Sequence, residues 1–184
     1  MLTASVAGFQ LWRDDIRLPT KLQWMGPAVA AFVMSVAGML LYETVGRDLI
    51  NPTSVLTAMS SRGFRDSQFL GFATYFVIVN ATLEELFWRG VVLNELKGLA
   101  LRQRSFGTWW TAASFGAWHY LVMRLLLRGF WPLVAAAFIM LCGIFLDLVY
   151  QRTRNILLAI VWHALVFDVP IILIFGIVLA NSKG

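Results

Sequence analysis

An all-α, polytopic transmembrane helical bundle is the fold class this sequence predicts, with about five membrane helices behind an interfacial N-terminal segment. Three observations predict it. Of the 184 residues, 59% are hydrophobic and only 14% charged, against about 25% charged in ordinary soluble domains. A soluble core of this length could not bury so much apolar surface. Apolar runs of roughly 20 residues recur along the chain, the length a helix rising 1.5 Å per residue needs to span hydrocarbon. Trp24, Tyr42, Trp109, Trp110, Trp131 and Tyr150 fall near the ends of those runs, where aromatic belts meet the headgroups.

Each element follows in order. Residues 1–21 read as an interfacial, partly amphipathic lead-in rather than a signal peptide, because the apolar portion is short and Arg13-Asp14-Asp15 follows soon after. The first span covers residues 24–42. A polar linker, residues 43–67, carries the turn signals Asn51-Pro52 and Arg62-Gly63, with room for a short surface helix. The second span runs from about 69 to 96, the third over 106–127, the fourth over 130–150 and the fifth over 155–180. With no internal repeat or low-complexity tract, residues 1–184 form a single membrane domain.

Charge placement adds orientation. With the N-terminus inside, the inner loops hold Arg13, Arg17, Lys21, Lys97, Arg102, Arg104, Arg152 and Arg154. The outer loops hold Arg47, Arg62, Arg65, Arg124, Arg128 and Lys183. Eight against six favours N-in under the positive-inside rule. No run of like charge suggests a nucleic-acid arm, so the lipid bilayer is the expected surroundings and nucleic acid is not a partner. The single cysteine, Cys142, excludes an intramolecular disulfide and reads as a small hydrophobe.

The second span is interrupted by Glu84, Glu85 and Arg89. A charge at the centre of a membrane helix costs roughly 2.5–3.5 kcal/mol on insertion scales, so such residues mark function by default. Glu85 and Arg89 are four apart on one face and suit an ion pair. Glu84 points about 100° away, without a partner in its own turn, and is the candidate general base. Asn80, one turn earlier, is placed either to orient Glu84 or to bond a neighbouring helix. The only two histidines, His119 and His163, lie in the third and fifth spans, where a lone histidine is often just an interhelical hydrogen-bonding group. Antiparallel threading strengthens the joint case. It puts Glu84 and His119 about 20 Å from one membrane face and His163 about 12 Å from it, a difference helix tilt can absorb. One carboxylate and two imidazoles meeting between helices can deprotonate water and stabilise an oxyanion. Ser114 has no base in its own helix and reads as packing, and Asp147 is expected at the interface near Arg152 or Arg154.

At these residues the chain resembles the CPBP family of CAAX proteases and bacteriocin-processing intramembrane peptidases, also called Abi. Glu84-Glu85-x-x-x-Arg89 is similar to its EExxxR motif and Phe115-x-x-x-His119 to its FxxxH motif. Residues 143–155 leading to His163-Ala164 resemble the approach to its last motif. The resemblance covers residues 69–168, the expected catalytic core. It implies an intramembrane endopeptidase acting on a membrane-anchored, prenylated or C-terminal-tail protein. Glu84 would activate water with His119, His163 and Asp168 would stabilise the oxyanion, and Glu85, Arg89 and Asn80 would support the site. No cofactor is expected, the alternative being one divalent metal such as zinc at Glu84, His119 and His163, although no HExxH motif is present. The compact form suits a multi-pass protein of a prokaryotic plasma membrane. One departure stands out. The family places Asn or Asp four residues after the last histidine, but residue 167 is Phe and Asp168 comes five after His163, about 140° around an α-helix. Pro170 can distort the preceding turn, so whether Asp168 meets the site is open at this point. The competing readings are a non-catalytic scaffold or immunity protein of the same fold and a proton-relay transporter, the latter disfavoured by the lack of a repeat pair.

Overall fold

The computed structural model describes residues 15–50, 68–99 and 104–181 together with Thr53 and Thr57. The expected lead-in up to residue 14 and most of the expected linker beyond residue 50 lie outside the described residues. Within them the chain is helical, without a strand, and five long helices follow one another.

Helix α1, Lys21–Leu49, is longer at both ends than the expected 24–42. Its start is fixed by a capping box, in which the Gln23 amide N–H donates to Thr20 Oγ1 and the Thr20 N–H to the Gln23 side chain. Its polar end stays helical because Glu43 and Arg47 pair one turn apart and the Thr44 hydroxyl bonds back to Leu40. Helix α2, residues 69–99, alternates ordinary turns with two wide π-type stretches, Tyr75–Asn80 and Leu86–Leu93. Helix α3, Arg104–Leu126, and helix α4, Trp131–Thr153, form a hairpin. Arg154 then takes a left-handed conformation, φ 47°, and ends α4. Asn155 caps α5, Ile156–Asn181, by accepting from the Leu158 N–H.

By length and apolarity, α1, α4 and α5 suffice to cross a bilayer. Large apolar side chains such as Phe32, Leu70, Leu121 and Leu141 face outward, the surface a membrane protein offers to lipid.

Contacts at the helix ends show that the helices alternate in direction. At one face the Asp15 carbonyl accepts from the Ile156 N–H. Tyr150 there receives a bond from Asn94 and donates one to Asp15, while Gln151 of α4 reaches Thr108 of α3. At the other face the Arg128 N–H donates to Leu49. Small residues set the helix spacing. A Cβ on Gly116 would stand 2.9 Å from both the Ala136 carbonyl and Met140 Cβ, and one on Gly143 would press on Phe115 at 3.2 Å. Helix α1 lies on α5 with Gly26 under Trp162 and Gly38 beside Ile174. Leu93, Tyr150, Ile156 and Ala159 close the core where α2, α4 and α5 meet, and the ionisable residues lie next to that junction.

Candidate active site

Burial sorts the charged residues of α2. Glu85 and Arg89 are fully buried, and a buried guanidinium needs its donors satisfied. Arg89 Nη1 donates to Glu85 Oε1 at 2.8 Å, Nε to Asp147 Oδ1 at 2.8 Å and Nη2 to the Gly143 carbonyl at 2.9 Å. The cation also lies over the Phe115 ring, 5.0 Å from its centre. Asp147, expected at the interface beside Arg152 or Arg154, is instead fully buried. It stands one turn after Gly143, so α4 presents both acceptors on one inward face. Arg154 turns to Asp15 at 3.1 Å. A signal for Asp147 was available: one carboxylate cannot saturate a buried arginine, and Asp147 is the only acid in α4.

Glu84, one residue earlier, points elsewhere. Its Oε1 accepts from Asn80 Nδ2 at 3.2 Å, a bond within the same helix. Its Oε2 is 3.8 Å from His119 Nε2 and 3.8 Å from His163 Nε2, and makes no hydrogen bond to protein. The side chain keeps 17% of its surface exposed, against none for Glu85. The neighbouring carboxylates are therefore divided into an accessible one and an enclosed one.

Each imidazole is held from behind. His119 Nδ1 is 2.9 Å from the Phe115 carbonyl. A carbonyl only accepts, so the proton sits on Nδ1 and Nε2 faces Glu84 as an acceptor in the neutral ring. His163 Nδ1 is 2.7 Å from Glu85 Oε1. Phe115 packs between these groups, its ring centre 4.3 Å from that of His119 and 6.0 Å from that of His163. The FxxxH spacing thus places a spacer and a histidine on the same face.

Asp168 reaches the site. Its Oδ1 is 3.5 Å from His163 Nε2, and its carboxylate is buried. The cause is a wide turn over His163–Asp168, after which the Val169 N–H bonds to Ala164, five residues back. Such a turn inserts one residue, so the fifth position after His163 stands where an α-helix would put the fourth. Pro170, which has no N–H to give the preceding turn, follows directly.

Glu84, His119 and His163 are donor types that a divalent metal accepts. Among the described residues no group of three or more His, Cys, Asp or Glu side chains could hold a metal ion. The 3.8 Å separations exceed the roughly 3.4 Å between ligands that lie 2.0–2.1 Å from a tetrahedral ion. A water molecule suits the gap better: two atoms 3.8 Å apart can each contact one oxygen at about 2.8 Å.

The sequence model of the Rce1-like type II CAAX prenyl endopeptidases matches residues 66–167, just over half of the chain. The matched stretch contains Asn80, Glu84, Glu85, Arg89, His119 and His163 and stops one residue before Asp168. No curated protein and no solved structure matches the chain.

Proposed function

Because the chain belongs to the Rce1-like family of type II CAAX prenyl endopeptidases, we propose that it is a metal-free intramembrane endopeptidase with Glu84 as general base. One observation carries the assignment: Glu84 Oε2, without a protein hydrogen bond, faces the Nε2 atoms of both histidines at 3.8 Å. In the proposed reaction, water between Glu84 and His119 gives its proton to Glu84, and its oxygen attacks the peptide carbonyl carbon. The carbonyl oxygen becomes an oxyanion facing His163, which is protonated on both nitrogens and flanked by Glu85 and Asp168. Glu84 passes the proton to the amide nitrogen as the C–N bond breaks, leaving a carboxylic acid and an amine.

The substrate class is a protein held at the membrane by a prenyl group or an apolar C-terminal tail. The setting is a prokaryotic plasma membrane crossed by all five helices, with α2 and α3 joining the three more apolar ones. Reading the protein as a non-catalytic scaffold drew on Asp168 being out of register, and the 3.5 Å approach to His163 takes that support away.

Reconstitution into liposomes with a prenylated CAAX peptide, and separately with a tail-anchored peptide, tests the assignment. Wild type should cleave one of them, and Glu84→Gln and His119→Ala should not. Cleavage that survives both substitutions removes the site. Retained activity in the presence of a strong chelator is expected, and inhibition that added zinc reverses would overturn the metal-free mechanism.

A further inference from the structure

Helix α4 carries none of the groups facing Glu84, yet it holds the guanidinium of Arg89 on two edges. Asp147 Oδ1 takes Nε and the Gly143 carbonyl takes Nη2, which leaves Nη1 for Glu85 Oε1. That same Glu85 oxygen lies 2.7 Å from His163 Nδ1. Asp147, Arg89, Glu85 and His163 therefore form one continuous run of short contacts through α4, α2 and α5. We infer that Asp147 is a positioning residue for His163, acting through Arg89 and Glu85.

The physical reason lies in the shape of the guanidinium. It is planar with a fixed fork of donors, so acceptors on Nε and Nη2 set both its plane and its rotation. Nη1 then points in one direction, and the Glu85 carboxylate is held at the height where His163 Nδ1 meets it. Without Asp147, Arg89 keeps Glu85 and the Gly143 carbonyl but loses the second fixed edge. The carboxylate can then follow the guanidinium, and the imidazole loses its stop. A displacement of about 1 Å at a reacting group costs on the order of 10²-fold in rate. A merely structural Asp147 would instead neutralise buried charge, and its loss would lower stability without disturbing His163.

The chain's two histidines make the distinction measurable. Full-length protein labelled with 15N-histidine in lipid nanodiscs gives one set of ring signals for His119 and one for His163, assigned with His119→Gln. In Asp147→Ala, which removes the acceptor from Arg89 Nε, the His163 Nδ1–H signal should move and the His119 signals should stay. In the cleavage assay the same variant should lose about 10- to 100-fold in kcat with KM within about two-fold. An unmoved His163 signal overturns the inference, as does an unchanged kcat. If Asp147→Ala does not fold, Asp147→Glu shifts the acceptor by one methylene and must also move the His163 signal. The kinetic arm rests on the endopeptidase reading. A wild-type protein that cleaves nothing counts against that reading, while the ring signals still decide the coupling.

Discussion

His163 Nδ1 and Glu85 Oε1 stand 2.7 Å apart, joining residues 78 positions distant in the chain, and both side chains are buried. The same oxygen receives Arg89, so the bond belongs to a buried ionic cluster whose members compensate one another. Removing a single partner leaves the others uncompensated. Glu85→Ala should destabilise the protein by about 3–5 kcal/mol. Glu85→Gln, which keeps an acceptor, should cost about 1–3 kcal/mol. Denaturant unfolding in detergent micelles checks both values, and equal losses would mean that the acceptor kept by glutamine contributes nothing and the charge carries the whole effect.

Glu84 should behave in the opposite way. Its Oε2 has no protein hydrogen bond to lose. Glu84→Gln should therefore leave stability within about 1 kcal/mol of wild type while cleavage falls by about 10²–10⁴-fold. The pair of substitutions at 84 and 85 thus separates chemistry from architecture at adjacent positions.

The wide turn after His163 yields a register test. Asp168→Asn retains an acceptor near His163 Nε2 and should keep at least about a tenth of the cleavage rate, whereas Asp168→Ala should lose about 10²-fold. The exchange Phe167→Asp with Asp168→Phe puts an acid at the ordinary α-helical spacing, four residues after His163. It should be as inactive as Asp168→Ala. Restored cleavage in the exchanged protein would show that the working turn is α-helical.

The hairpin of α3 and α4 can be tested by crowding. Gly116→Ala puts a methyl group 2.9 Å from the Ala136 carbonyl and from Met140 Cβ, so the helices must part. The cost should be about 1–3 kcal/mol, and cleavage should fall because His119 is three residues further on. Gly71→Ala meets nothing within 4 Å and should be neutral or stabilising by up to about 1 kcal/mol. Thermal unfolding of the two variants side by side provides the comparison.

Much of this arrangement could be read from residue types alone. Apolar run length located the helices, and the interruptions at Glu84, Glu85 and Arg89 pointed to the candidate site, since charges within apolar helices are costly to place. Three features were hidden for separate reasons. The run of hydropathy ended α1 at Tyr42, but an ion pair between Glu43 and Arg47 carries the helix to Leu49. Sequence proximity pairs Asp147 with Arg152 or Arg154, whereas the donors of Arg89, 58 residues away, decide its position. For Asp168, a wheel of 100° per residue has no place for the residue that a π-type turn inserts. Pro170 was the sole local sign of that insertion.

The distances along the chain between the members of the buried cluster also bear on biosynthesis. Glu85 and Arg89 are made first, Asp147 follows Arg89 by 58 residues, and His163 follows Glu85 by 78. At ribosomal rates this leaves α2 waiting several seconds, on the order of 3–12 s, for its counter-ion on α4. The imidazole arrives later still. In the proposed reaction a nascent chain lacking α5 would carry Glu84 with no His163 opposite it, so no cleavage is expected from it. On that reading the complete set of facing groups would come together only when the last helix docks.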